Sequence, residues 1–309
     1  MIVDMRRNLV MEQGSLPQSA ETALRSIETR GNPGFGTTHG RADWTEGLEV
    51  PIAAEVGTEN IDVLFWVGCA GSLEDRSIRV AQSVTKIMQK AGVKFAILGN
   101  EETCTGDPAK RMGNEYLYQT LASRNIEVLE RYGVKRILTM CPHCFNTIKN
   151  EYPYLGGNYE VLHYSQFVNE LIDQKKIKFV ASLDTSLTYH DSCYLGRHNG
   201  VFDEPREVAN QIPGVELIEM SRCRENGFCC GAGGGQMWMD NKRGEKVNHL
   251  RTSQFLETNA TTVAVSCPFC LQMFEEGISA KGLQDKHDAK DIIEILAESL
   301  DAGATTSKN

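Results

Sequence analysis

The sequence predicts an α/β protein made of two pseudo-symmetric repeats, each a parallel sheet flanked by helices, behind an irregular and partly helical N-terminal extension. Three observations carry that expectation. From Ile61 onward, short apolar runs alternate with amphipathic helical segments, the pattern of strands covered on both faces by crossover helices. The alternation starts again near Ser186. The cysteines also recur: Cys69 and Cys193 lie 124 positions apart, Cys104 and Cys229 125, and Cys141 and Cys267, like Cys144 and Cys270, 126. Four positions that keep one offset to within two residues mark an internal duplication. The expected divisions are 1–60 for the extension, 61–185 for the first repeat and 186–309 for the second.

In the extension, Pro17 to Thr29 places Ala20, Ala23, Leu24 and Ile27 on one helical face, and Gly31 and Pro33 end the pattern. The stretch GNPGFGTTHGRADW (31–44) reads as a loop, being rich in Gly and polar residues. The first repeat opens with IDVLFWVG as a strand running into Cys69. A helix follows over 77–92, then the strand VKFAILG, a long helix over 113–133, the strand KRILTM running into Cys141, and a last strand–helix pair in YEVLHY and SQFVNELIDQ. The second repeat offers SLTYHD leading to Cys193, the strand VELIEM, a helix over 242–259, TTVAVS leading to Cys267, and AKDIIEILAESL as its closing helix.

Composition bounds the function. At 309 residues, with 41% in the set AVILMFWYC, the chain can bury an ordinary core as one large domain or two smaller ones. A formal net charge of -9 argues against nucleic acid or an anionic membrane as the main partner. No apolar run reaches the ~18 residues of a membrane span, and MIVDMRRNLVMEQG lacks a signal-peptide core. The expected location is cytoplasmic, or at a membrane through a partner. Ten cysteines in such a chain read as metal ligands or redox groups. An exported disulfide scaffold would want a shorter chain and a secretion signal.

In both repeats three cysteine groups fall at or just beyond the C-terminal ends of strands, which in open α/β sheets converge on one crevice. The second repeat offers Cys193, Cys229, Cys230, Cys267 and Cys270; the first offers Cys69, Cys104, Cys141 and Cys144. Each C-P-x-C element sets two thiolates on a strand-to-helix turn, where helix N–H groups favour negative charge. Thiol-rich sets without matching histidines suit iron–sulfur clusters or structural zinc. Five ligands with a vicinal pair suit zinc poorly; four suit either.

These elements resemble the CCG cysteine-rich domain, found in the catalytic subunit of heterodisulfide reductase, in iron–sulfur subunits of glycolate and lactate oxidases, and in membrane-associated oxidoreductases that accept electrons from electron-transfer flavoprotein. The resemblance spans residues 61 to 300 and implies two Rossmann-like CCG repeats. It implies a non-cubane 4Fe-4S cluster on Cys193, Cys229, Cys230, Cys267 and Cys270. In the first copy Thr105 replaces the second cysteine, if Gly106 is matched to Gly231, so Cys69, Cys104, Cys141 and Cys144 are expected to hold a second 4Fe-4S cluster or zinc. IVDMRRNLVMEQG resembles the segment that follows a two-cluster ferredoxin module in fused members, which implies a ferredoxin-like iron–sulfur subunit and a flavoprotein subunit as partners.

The resulting expectation is an iron–sulfur electron-transfer subunit of a heterodisulfide-reductase-like oxidoreductase complex. The alternatives are direct reduction of a disulfide at the C-terminal cluster, with His190 and Asp191 as candidate proton-moving groups, and a zinc-stabilised assembly scaffold. Arg197 beside Cys193 could tune a cluster as a donor. Gly231 to Gly235 could form an anion nest, His143 is read as supporting a ligand rather than binding, Cys223 as unligated, and Met237, Trp238 and Met239 as shielding or core.

Overall fold

The computed structural model describes residues 1–35, 40–239 and 244–301. Residues 36–39 of the expected loop, Lys242 and Arg243 of the expected 242–259 helix, and 302–309 of the second repeat lie outside them.

The strands form two four-stranded parallel sheets of identical order. The first contains β1 (Val63–Trp66), β2 (Phe95–Ala96), β3 (Arg136–Thr139) and β4 (Glu160–His163), in the order β2-β1-β3-β4. The second contains β5 (Thr185–Tyr189), β6 (Val215–Leu217), β7 (Thr262–Val265) and β8 (Asp288–Asp291), in the order β6-β5-β7-β8. The central strands β1 and β7 are buried along their whole length, as expected of strands covered on both faces. Each sheet reverses direction of winding between its first strand and the third, the switch point where loops at the strand ends part and leave a crevice.

The chain divides into two compact units that are not contiguous in sequence: residues 1–81, 94–162 and 232–243, and residues 82–93, 163–231 and 244–309. The first holds the N-terminal segment. Its helix Gln18–Arg30 buries Ala20, Ala23, Leu24 and Ile27, the face that periodicity indicates, and Gly31 ends it at φ 69°. Ile52 bridges Ile97 just beyond β2, so the strand expected over 93–99 is shortened to two residues and continued by the extension.

The closing segment 289–300 departs from the expected helix. Its first residues are β8, paired from Thr262↔Asp288 to Val265↔Asp291. A capping box then starts the helix Ile292–Ser299: Asp291 accepts from Ile293 N at 3.1 Å and Glu294 accepts from Asp291 N at 2.9 Å. The equivalent junction in the first copy places His163 as cap of the helix Tyr164–Asp173. Sequence periodicity did not isolate the short helices Gly68–Leu73, Asp107–Met112 and Glu204–Gln211. Pro108 and Pro205, each in the first turn, were the available start signals.

Candidate metal centres

All four N-terminal cysteines fall in the first unit and all five C-terminal ones in the second. Cys69 lies one residue into the helix that follows β1. Cys104 is on the loop after β2, and Cys141 is the N-cap residue of the helix Pro142–Asn150, with Cys144 in its first turn. Cys193 follows β5, Cys229 and Cys230 end the loop before Gly231, and Cys267 caps the helix Pro268–Ala280 with Cys270 in its first turn. Proline at the first helical position sets both C-P-x-C turns, because its missing N–H costs the helix nothing there. The turns close alike, Phe145 N donating to Cys141 O at 2.9 Å and Leu271 N to Cys267 O at 3.0 Å.

In the second unit the thiols form a connected set. Cys229 takes hydrogen bonds from Cys193 and Cys230. Cys270 Sγ lies 3.4 Å from Cys230 Sγ and also pairs with Cys267. Gly231 N, at φ 97°, donates to Cys229 Sγ at 3.3 Å. Donation from Cys193 and Cys230, ahead of other causes, pulls the Cys229 thiol down to about 2, and the same bonds push Cys193 and Cys230 up. Cys193 and Cys229 are partly exposed, whereas Cys230, Cys267 and Cys270 are buried.

The first unit repeats this geometry with one residue changed. Gly106 N, at φ 87°, donates to Cys104 Sγ at 3.5 Å, as Gly231 does to Cys229. Thr105 Oγ1 lies 3.9 Å from Cys144 Sγ, where the second copy has Cys230 beside Cys270. Thr105 therefore occupies the place of Cys230, a buried hydroxyl in place of a thiol. Cys104 donates to Cys69, which pulls Cys69 down to about 6 and pushes Cys104 up. All four thiols are buried.

Several residues that the sequence did not flag surround this site. Arg41 Nη2 reaches Cys69 Sγ at 3.2 Å, and Nη1 pairs with Glu102 Oε1 at 2.9 Å. Glu102 also accepts from Val67 N at 2.9 Å and Gly68 N at 2.8 Å, at the start of the helix carrying Cys69. Burial, only partly offset by Arg41, pushes the Glu102 carboxyl up to about 7. Asn125 Nδ2 donates to Cys104 O at 3.0 Å, and Tyr152 OH donates to Thr105 O at 3.2 Å. Together they hold the loop that carries Cys104 in place. Nothing local in the sequence marks Arg41, which sits in a polar loop 28 positions before Cys69.

The remaining candidates separate by their contacts. His143 Nδ1 pairs with Asp107 Oδ2 at 2.8 Å, and Asp107 also takes Arg111 Nε at 2.9 Å. Burial pushes Asp107 up, but His143 and Arg111 more than offset it and hold the carboxyl below its usual range. Asp191 is committed to Arg206, which meets its two oxygens at 2.7 and 3.0 Å, and to Arg224 N at 2.6 Å. His190 is fully buried directly after β5. Its Nδ1 takes a hydrogen bond from Arg251 Nε at 3.2 Å, and one of its ring nitrogens lies with Cys230 Sγ and Cys270 Sγ inside a 4.8 Å group. Burial and then the Arg251 charge hold the imidazole neutral, its pKa lowered to about 3. Arg197 Nη1 stands 3.8 Å from Cys193 Sγ and Nη2 donates to Gly227 O at 2.6 Å. Cys223 is partly exposed and bonded to Glu219. Of the glycine run, Gly231 serves Cys229, whereas Gly234 and Gly235 belong to the first unit, against Arg6 and Met112. Met237, Trp238 and Met239 also fall in the first unit, half-buried.

The donor sets suit a soft, thiolate-preferring group. Thiols converge from three chain segments in each unit, thiol–thiol hydrogen bonds lower the pKa of one cysteine in each set, and backbone N–H groups point at sulfur. At the C-terminal set a ring nitrogen of His190 and the sulfurs of Cys230 and Cys270 lie within 4.8 Å of one another.

A family model described as a cysteine-rich domain matches residues 63–149 and 187–275. The chain is 44% identical over 304 residues to the Bacillus subtilis protein named "Probable iron-sulfur-binding oxidoreductase FadF", and 43% identical over 311 residues to an EtfAB:quinone oxidoreductase of Syntrophomonas wolfei. The match takes in 97% of this chain in both cases but only 43% of each relative. The chain is also 35% identical over 310 residues to one of the subunits of the dihydromethanophenazine:CoB–CoM heterodisulfide reductase of Methanosarcina barkeri, over 98% of this chain and 73% of that one. Among solved structures, a hypothetical protein from Helicobacter pylori superposes with a TM-score of 0.54 at 10% identity, over 96% of this chain and 57% of the other, which is a likeness of fold.

Proposed function

The chain belongs to the CCG cysteine-rich domain family, in two copies, and from that premise we propose that it is an iron–sulfur electron-transfer subunit of a heterodisulfide-reductase-like oxidoreductase. The observation that carries this reading is the pair of convergent thiol sets, each closed within its own unit, with five thiols in one and four in the other. The five-thiol set Cys193, Cys229, Cys230, Cys267 and Cys270 is the site for a non-cubane 4Fe-4S cluster. The four-thiol set Cys69, Cys104, Cys141 and Cys144 is the site for a second 4Fe-4S cluster or zinc. Bound there, a cluster supplies one-electron transfer at a potential set by its ligands, burial and hydrogen bonds.

The chain's own residues do the rest. Arg41 and the N–H of Gly106 neutralise sulfur charge in the N-terminal site; Arg197 and the N–H of Gly231 do so in the C-terminal one. The burial of all four thiols in the first set, each less than a tenth exposed, suits a site that only passes electrons. A flavoprotein and a ferredoxin-like subunit are the partners this reading requires. They are consistent with the names of the relatives, in which this chain would be the part carrying the two cysteine-rich copies. The division into 1–60, 61–185 and 186–309 follows the sequence repeat, whereas the compact units exchange residues 82–93, 163–185 and 232–243 across it.

A second reading has its own support. Cys193 and Cys229 are partly exposed, so the C-terminal site presents an edge that a small disulfide could reach, beside the cationic Arg197. On that reading the same subunit reduces a disulfide itself.

Anaerobic purification followed by iron, sulfide and zinc analysis tests the proposal. At least one 4Fe-4S equivalent of iron and acid-labile sulfide per chain is expected. Zinc in both sites without sulfide overturns it in favour of an assembly scaffold. Turnover of thiol-cofactor disulfides with a reduced dye separates the two redox readings, since an electron-transfer subunit gives none.

A further inference from the structure

Arg251 is a guanidinium fully buried in the second unit. Its hydrogen-bond partners are Arg222 O at 3.0 Å, Gln254 Oε1 at 2.7 Å and His190 Nδ1 at 3.2 Å. All three are neutral acceptors, and no carboxylate among the described residues is hydrogen-bonded to it. Asp191, the nearby anion, is taken up by Arg206. A guanidinium has five N–H donors and no acceptor. The nitrogen facing it must therefore present a lone pair, and in a neutral imidazole the proton then resides on the other nitrogen. Nε2 of His190 has no hydrogen-bond partner among the described residues, although it is buried. A buried donor left unmet is destabilising. Two sulfurs lie near the ring, Cys230 and Cys270 within the 4.8 Å group, and Asp191, Cys229 and Cys267 also act on it electrostatically. Beside it, Phe274 packs edge-on at 5.0 Å, which keeps the ring from turning.

We propose that Arg251 fixes the tautomer of His190, so that the Nε2–H, which meets no acceptor among the described residues, donates to a sulfur of the C-terminal centre when a cluster is bound there. His190 then tunes the C-terminal centre and is neither an iron ligand nor a proton carrier. Ligation through Nε2 would require a proton on Nδ1, donor facing donor against Arg251, or an imidazolate. Proton transfer would need Nδ1 free to accept a proton, and Arg251 occupies it. Arg251 is a positioning residue acting through His190, and its charge, uncompensated by a paired carboxylate, favours electron density on the adjacent sulfurs. An N–H donated to a cluster sulfur raises the reduction potential. This inference rests on the reading of the C-terminal set as a cluster site.

The test is pulsed EPR of the reduced, iron-loaded full chain labelled with [15N]histidine, together with redox titration of the C-terminal signal. A weak 15N coupling and an exchangeable proton are expected, both lost in His190→Phe. The midpoint potential should fall in His190→Phe and in Arg251→Met, and recover in part in His190→Gln and Arg251→Lys, which keep a donor at each place. A strong 15N coupling identifies a ligand and overturns the inference. So does an unchanged potential in His190→Phe with iron retained. A wild-type C-terminal site that holds no iron overturns the cluster reading and this inference with it, whereas a cluster with an unmoved potential overturns this inference alone. The wild-type coupling is read without any variant, so a His190 variant that fails to fold does not prevent the test.

Discussion

Replacing Arg41 with methionine removes one member of a buried ion pair and leaves the other. Arg41 is 8% exposed and Glu102 2%, so the carboxylate cannot turn to solvent. It would keep its two backbone donors, Val67 N and Gly68 N, but lose its counter-charge, and Cys69 would lose the cation at 3.2 Å. Breaking a buried pair from one side costs about 3–5 kcal/mol where the remaining charge persists, well above the ~1 kcal/mol of an exposed pair. Because Glu102 is already pushed up to about 7 with Arg41 present and rises further without it, the full cost is expected only at alkaline pH. A smaller cost is expected at neutral pH, where the carboxyl takes up a proton. Glu102→Gln alone is expected to cost less, about 1–3 kcal/mol. Its amide nitrogen would face a backbone N–H and leave one donor unmet, while Arg41 keeps Gly31 O and Cys69. In the double variant no lone charge remains, so the two costs should not add, and a coupling of about 2–3 kcal/mol is expected. The assay is urea unfolding followed by tryptophan fluorescence. All three tryptophans, Trp44, Trp66 and Trp238, fall in the first unit, so the signal reports the unit that contains the pair. At alkaline pH, a loss below about 1 kcal/mol for Arg41→Met, or strict additivity, would refute the account of this network.

Three further outcomes are expected. Thr105→Cys places a thiol beside Cys144 and should give the N-terminal site the spectral signature of the C-terminal one, at a cost near 1 kcal/mol for the methyl lost; a spectrum and metal content identical to wild type count against the equivalence of Thr105 and Cys230. Cys230→Ser should abolish or convert the C-terminal signal and leave the N-terminal metal content unchanged, and an unaltered EPR spectrum would contradict the ligand assignment. Gly106→Ala would put a Cβ 2.8 Å from Tyr118 Cδ2 at a positive φ. Lowered thermal stability and lost metal in the N-terminal site are expected, and a Tm equal to wild type would show that the loop relaxes freely.

The duplication was legible in the four offsets shared by Cys69 to Cys144 and Cys193 to Cys270, the constancy expected of thiols that, on the proposed reading, must reach one shared point. The fold class was legible because β1 and β7 are buried on both faces and read as apolar runs. What surrounds the thiols was not. Arg41 comes from a polar loop and Arg251 from a helix whose buried residues are mostly polar, Asn248, Arg251 and Thr252 beside Phe255, and their neighbours in sequence say nothing of the sulfurs or of the histidine they meet in the fold. β8 was read as helix because Ala289 and Ile292 fit a helical face. Pairing with β7 decides the matter, and that is a long-range contact invisible to local periodicity. The short strand β2 was overestimated for the same reason, its last residues being taken up by Ile52.

The cysteines stand just past the strand ends and not within the strands. A bound group in the first unit therefore ties together positions 75 residues apart, Cys69 and Cys144, and in the second unit positions 77 apart, Cys193 and Cys270. It acts as a staple across long loops, lowering the entropy of the unfolded chain as a cross-link does. The sheets below keep their own backbone hydrogen bonds and apolar cover. Stripping the metal should thus loosen the rims and open the connecting loops to proteases, while far-UV circular dichroism still reports two intact sheets.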